Sequence, residues 1–131
     1  MSELIAVNQP SGAKSGGEDK VFETRSFPGG FKFDRSVAGV FENMLLRSVP
    51  GYENIIAMSG FLAGKYAQPG RNYYDLGCSL GATALSMQRN IVAKNCRIYA
   101  VDNSESMIER CREIVAMEAE HPAQVEVLCA D

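Results

Sequence analysis

The chain holds a single histidine, His121, has no two cysteines in C-x-x-C spacing, and contains no apolar run long enough to span a bilayer. A triad hydrolase needs a histidine beside its nucleophile, and His121 stands next to Pro122 in a helix-to-strand connection. Cys78, Cys96, Cys111 and Cys129, none closely paired, read as small buried apolar residues of a reducing compartment, and no metal site is expected. The amino-terminal segment lacks a signal-like apolar core, which makes a cytoplasmic protein with no membrane contact the expectation. Positive charge is scattered and the net charge is −3, so the chain has no basic stripe for a nucleic-acid backbone, and direct binding to tRNA or DNA is disfavoured.

What is present is the composition of a folded domain: 131 residues, 46% hydrophobic and 22% charged, enough for one modest core. Residues 1–20 are rich in Ser, Gly and charge and read as a disordered tail. Within it Gly12-Ala13-Lys14-Ser15 lacks the glycine spacing and preceding strand of a phosphate loop. Residues 21–70 read as a helical cover. Phe22, Phe27, Phe31 and Phe33 surround a Pro28-Gly29-Gly30 turn, and a first helix runs from an Asp34 cap to about Ser48. A second helix spans about 53–66, with Ile55, Ile56, Phe61 and Leu62 as its core face. Residues 71–131 alternate strand and helix: a strand before Gly77, a helix over 82–93, a strand over 96–101, a helix over 104–119 and a strand over 124–129.

The chain is organised around Tyr73-Tyr74-Asp75-Leu76-Gly77-Cys78-Ser79-Leu80-Gly81-Ala82-Thr83, which reads as strand, tight turn and helix. Gly77, Ser79 and Gly81 leave the backbone unobstructed, so their N–H groups are expected to face a ligand, next to the positive end of the following helix. A dinucleotide fingerprint needs G-x-G-x-x-G after an apolar strand end, and here Asp75 intervenes and the spacing differs. The same residues spell the G-x-S-x-G nucleophile elbow, which lacks a histidine partner and an oxyanion-hole glycine run. The third reading is the acidic-x-Gly-x-Gly-x-Gly motif of the class I methyltransferase-like fold, which this stretch resembles with Ser79 in place of the middle glycine. A carboxylate at the strand tip suits the sulfonium and ammonium groups of S-adenosylmethionine.

The next strand ends in Asp102-Asn103, at the adjacent tip. An acidic side chain there can accept from both ribose hydroxyls of an adenosine ligand, and can also cap the helix that begins near Ser104. Cys78 is either a reactive thiol or simply a small loop residue. A doubly wound sheet that stops after three strands leaves its far half unbuilt, so the chain reads as an amino-terminal half of a Rossmann-like α/β domain.

Arg47-Ser48-Val49-Pro50-Gly51-Tyr52, Tyr74-Asp75-Leu76-Gly77-Cys78-Ser79-Leu80-Gly81, Asp102-Asn103-Ser104 and Met107-Ile108-Glu109-Arg110-Cys111 together resemble the bacterial carboxy-S-adenosyl-L-methionine synthase family, from about Phe31 to Asp131. That resemblance implies a partial class I methyltransferase fold with S-adenosyl-L-methionine and its carboxylated form as ligands. It implies prephenate as the second substrate, carboxylation rather than methylation as the reaction, a homodimer, and a product used in tRNA wobble-uridine modification. It further implies that Tyr52 contacts the added carboxylate region, that Gly77, Cys78 and Ser79 contact the methionyl and ribose part, that Asp102 and Asn103 contact ribose and adenine, and that Asp131 contacts the adenine edge. An asparagine and an arginine that complete the family's pocket have no counterpart here. An ordinary methyltransferase and a non-enzymatic binding fragment stay open as alternatives.

Overall fold

The computed structural model describes residues 40–131, and the expected tail, the aromatic segment around Pro28 and the Asp34 cap fall outside the described residues. The described elements are, in order, helix α1 (Phe41–Ser48), helix α2 (Tyr52–Tyr66), strand β1 (Asn72–Leu76), helix α3 (Ala82–Asn90), strand β2 (Cys96–Asp102), helix α4 (Glu105–Ala116) and strand β3 (Ala123–Cys129).

The three strands pair in parallel in the order β1-β2-β3. Parallel neighbours need a crossover, and two right-handed crossovers stepping the same way place α3 and α4 on one face of the sheet. The register carries this into the side chains. Tyr73, Ile98 and Val125 lie abreast, as do Asp75, Ala100 and Val127, and these rows look toward the helices. Ile98 and Ala100 are fully buried against a cluster that includes Ala84, Met87 and Ile91 near α3, and Ile108 and Cys111 of α4. Each large aliphatic side chain removed from water there contributes about 1.5–3 kcal/mol. Along the opposite face Tyr74 and Tyr99 stack with ring centroids 5.3 Å apart, while Tyr74 and Leu76 are exposed.

The strands lie where the alternation places them, but both crossover helices are shorter than expected. Helix α3 stops at Asn90 rather than Ala93, because Ile91 closes the last turn onto the Met87 carbonyl and then leaves the helix to bury its side chain. Helix α4 runs from Glu105 to Ala116, beyond which Met117 and Glu118 make i→i+3 bonds to Ile114 and Val115.

Helix α2 corrects the expected core face. Ile55, Phe61 and Leu62 are exposed, and only Ile56 of the four expected residues is partly buried. The packed face is made of small residues. A Cβ on Gly60 would lie 2.2 Å from Ser86 Oγ, and one on Gly64 would lie 2.6 Å from the Asn90 carbonyl oxygen, so α2 touches α3 backbone to backbone. The Ser86 hydroxyl donates to the Ile56 carbonyl at 2.9 Å across this contact. Large side chains would hold the helices apart, so they turn outward. Cys129 is a second correction, since it is exposed at the last position of the edge strand while the other three cysteines are buried.

Candidate functional site

Strands β1 and β2 end side by side, and the residues expected to bind converge at their carboxyl ends. The turn after β1 is fastened to β2 by its own backbone: the Gly77 and Cys78 N–H groups both donate to the Val101 carbonyl, at 2.8 and 2.9 Å. The Ser79 N–H donates to Asp102 Oδ2 at 2.9 Å, and the Gly81 N–H donates to the Cys78 carbonyl at 2.7 Å. The expectation that the amides of Gly77, Ser79 and Gly81 face a ligand is therefore corrected. Two strands about 4.8 Å apart leave the connecting turn within reach of the neighbouring strand end, and its donors are satisfied there.

What the glycines contribute instead is shape. Gly77 and Gly81 sit at φ +77° and +84°, and a Cβ on Gly77 would meet nothing within 4 Å. The backbone at Gly77 thus forms an open floor that a ligand can approach closely. Ser79 also takes a left-handed φ of +50°, uncommon for a residue with a side chain, and the Asp102 carboxylate holds its N–H in that conformation.

Asp102 therefore does more than sequence reasoning gave it. Its Oδ1 accepts the Ser104 N–H at 2.9 Å in a side-chain turn just before α4, whose cap position is Ser104 and carries no side-chain cap bond, so the expected capping by Asp102 is corrected, while Oδ2 ties down the turn after β1. Each oxygen retains a second acceptor position for a hydroxyl. Asn103 donates from Nδ2 to Asp131 Oδ1 at 2.8 Å, so these two expected adenine contacts form one exposed polar rim beside Asp102. Asp75 accepts the Ala84 N–H at 3.1 Å and so anchors the first turn of α3 to the strand tip. Burial raises its carboxyl above the ordinary range, the Ala84 N–H acts against that, and the Asp102 charge adds to it. Neither anchoring bond has a signature in the sequence beyond an acidic residue at each strand end.

Tyr52 reaches this site from the other side. The chain turns at Val49-Pro50-Gly51, Gly51 takes φ +73°, and α2 starts with Tyr52 in its first turn. Tyr52 and Ser79 line the same cavity of about 60 Å³, together with Phe41, Leu45 and Leu80. Phe41 packs with Met107 and Leu80, which fixes α1 over the loop. Burial, then Glu42, then Asp75 raise the Tyr52 hydroxyl above its usual range, so it remains a neutral donor. From Tyr52 a groove of about 410 Å³ runs outward between the helices to the Arg89–Glu118 ion pair.

Cys78, expected either as a reactive thiol or as a small loop residue, is 6% exposed and directs its side chain into the core. Among the described residues there is no cluster of three His, Cys, Asp or Glu able to hold a metal ion, and no helix is long and apolar enough to cross a membrane.

A family model described as a methyltransferase domain matches residues 74–131. The chain is 55% identical over 101 residues to a carboxy-S-adenosyl-L-methionine synthase of Geobacter sp. strain M21, covering 77% of this chain and 41% of that protein. It is 55% identical over 104 residues to the protein of that name from Photorhabdus laumondii, covering 79% of this chain and 40% of that one. It is 58% identical over 98 residues to one from Yersinia pestis, covering 74% and 37%. The chain thus spans about two fifths of the length of these relatives. Among solved structures, the fold is similar to that of a protein from Methanococcus maripaludis described as an S-adenosyl-L-methionine-dependent methyltransferase. There the TM-score is 0.54 at 17% identity, over 79% of this chain and 46% of that one. The three parallel strands and their crossover helices are those of the methyltransferase fold.

Proposed function

We propose that this chain, a methyltransferase-fold region homologous to the carboxy-S-adenosyl-L-methionine synthases, is the cofactor-gripping part of such a synthase. The whole protein would convert S-adenosylmethionine and prephenate into carboxy-S-adenosylmethionine and phenylpyruvate, supplying a carboxylated cofactor for tRNA wobble-uridine modification. The observation that carries the cofactor reading is the pair of carboxylates, Asp75 and Asp102, at adjacent strand tips around the open backbone of Gly77. A cationic sulfonium and ammonium suit Asp75, and ribose hydroxyls suit the unused acceptor positions of Asp102. Carboxylation rather than methylation is supported by the relatives' shared name. In this reading the described residues bind, orient and exclude water around the cofactor, and the proton lost from its methyl group leaves as water with the hydroxide released by prephenate.

The reading extends to a cytoplasmic homodimer that makes no direct contact with nucleic acid. The net charge of −3 supports the last point. The exposed apolar stripe Ile55, Met58 and Leu62 on α2 supports association with a second copy. The deciding experiment incubates the complete gene product with S-adenosylmethionine and prephenate and weighs the cofactor product. A gain of one carbon dioxide unit is expected. Loss of one methylene unit would instead identify an ordinary methyltransferase.

Tyr52 gives a sharper test of the same reading. Its hydroxyl stays protonated in the cavity it shares with Ser79, which supports a role as donor to the added carboxylate. Tyr52→Phe in the complete protein is expected to weaken the carboxylated ligand by about 1.5–3 kcal/mol, because the acceptor is charged, while S-adenosylmethionine loses little. Dissociation constants for both ligands that change in parallel, or not at all, would remove Tyr52 from that role.

Asp75 makes cofactor binding depend on pH. Its carboxyl is raised in the free protein by burial, and a cationic ligand alongside would favour the ionised form and lower it again. Binding should therefore release a proton in the window between the free and bound values. Affinity should be full above the raised free value and fall as the pH drops through it. Calorimetry in buffers of different ionisation enthalpy reads that proton directly, and an uptake, or an affinity that improves on acidification, would contradict contact with Asp75.

A further inference from the structure

A pair of thiols lies beneath the ligand loop and takes no part in the function proposed above. The turn over residues 78–81 closes through the Gly81 N–H and the Cys78 carbonyl, and the Cys111 sulfur of α4 sits directly under it, since a Cβ on Gly81 would come within 2.7 Å of that sulfur. Cys78, at the start of the same turn, sends its side chain into the same buried cluster as Cys111, with its thiol 3.9 Å from the Ser79 carbonyl. The two residues are 6% and 0% exposed. Cys96 lies at the opposite end of β2, with its thiol toward the Gln68 carbonyl, and Cys129 is exposed on the edge strand.

We propose that Cys78 and Cys111 form a reversible disulfide in response to a peroxide, and that this bond switches the ligand loop off. The neighbouring Cys111 and burial raise the Cys78 thiol, and the neighbouring Cys78 lowers the Cys111 thiol, so Cys111 is the attacking sulfur, and burial limits the oxidant to a small one. The Cys111 thiolate attacks the peroxide, an S–O bond forms as the O–O bond breaks, and hydroxide leaves. Cys78 then attacks the sulfenic sulfur, an S–S bond forms as the S–O bond breaks, and the Cys78 proton leaves with the oxygen as water. Two thiols are oxidised and one peroxide is reduced to two waters.

The bond acts on the loop because a disulfide holds its sulfurs at about 2 Å, closer than two unbonded thiols approach. Helix α4 is anchored by the buried Met107 and Ile108, and Gly81 already touches the Cys111 sulfur. The displacement therefore falls on Cys78 and its neighbours Gly77 and Ser79, which disturbs the bonds to Val101 and Asp102 that shape the cradle.

This consequence rests on reading the loop as the cofactor cradle, whereas the linkage itself does not. The complete protein treated with hydrogen peroxide should yield one linked peptide pair containing Cys78 and Cys111, two hydrogens lighter than the reduced pair. Its affinity for S-adenosylmethionine should fall at least tenfold, and dithiothreitol should restore both. Cys111→Ala, with Cys111→Ser as the variant closest in size, should bind the cofactor normally and ignore peroxide, and Cys129→Ser should respond as the unmodified protein does. Absence of the linked pair, or a Cys111 variant that remains sensitive, overturns the proposal, and a linked pair with unchanged affinity overturns the switch. Reduced protein that forms the link yet never binds the cofactor would instead count against the cofactor reading.

Discussion

Asp102→Ala lowers the affinity of the complete protein for S-adenosylmethionine at least tenfold, even though the deleted carboxylate belongs first to the protein's own backbone. Its two oxygens hold the Ser79 and Ser104 N–H groups, each at 2.9 Å. Hydrogen bonds to a charged acceptor contribute about 1.5–3 kcal/mol each, and a tenfold loss of affinity corresponds to about 1.4 kcal/mol. Without Asp102, Ser79 has no partner to sustain its left-handed φ of +50°, and the loop relaxes out of the shape that leaves the Gly77 backbone open. Any direct bond to ribose is lost in addition. Asp102→Asn separates the parts, because the amide keeps one acceptor and turns a donor toward the other N–H, so an intermediate loss is expected. Calorimetric titration beside a thermal melt decides between them. Lost affinity with an unchanged melt assigns the residue to the ribose alone, a lowered melt assigns it to the loop, and unchanged affinity with an intact fold removes it from the site.

Asp102 also shows what could be read from the residues and what could not. Its place at a strand tip next to the glycine turn follows from the alternation of Cys96-Arg97-Ile98-Tyr99-Ala100-Val101 and from the break after Leu76, because period-2 burial is a property of each strand alone. The direction of the loop amides did not follow. That depends on how close the tip of β2 comes to the turn, a distance set by pairing between segments far apart in the chain.

The same limit explains α2. Large apolar residues usually mark a packed helical face, but Gly60 and Gly64 bring the α2 and α3 backbones into contact, and the side that meets the core is the one with little side chain. Sequence periodicity weighs residues by size and polarity, and so it pointed to Ile55, Phe61 and Leu62. The early ends of α3 and α4 have a related cause, since Ile91 gains more from burial than from another helical turn, and no local signal such as glycine or proline marks the stop. The approach of the 78–81 turn to the Cys111 sulfur joins a loop to the middle of a helix, and neither segment's neighbours announce it.

Gly81→Ala should be the most damaging single-methyl change in the loop, and Gly77→Ala provides its control. Both glycines occupy left-handed backbone, at φ +84° and +77°, where an L side chain costs about 1–2 kcal/mol. Their surroundings differ. The new methyl at position 77 enters open space, whereas at position 81 it lies 2.7 Å from a sulfur that is wholly buried. Overpacking of that kind adds about 1–3 kcal/mol, so Gly81→Ala should destabilise the complete protein by roughly 2–5 kcal/mol against about 1–2 for Gly77→Ala. Cofactor affinity should rank the other way among molecules that remain folded, because only the methyl at 77 projects into the space left for a ligand. Cys111→Ala placed beside Gly81→Ala should recover the steric part and leave the conformational part, a coupling that chemical denaturation of the four proteins in the cycle measures directly. Equal destabilisation by the two alanines, or no recovery in the double variant, would mean that the Cys111 sulfur does not crowd position 81 as the structure places it.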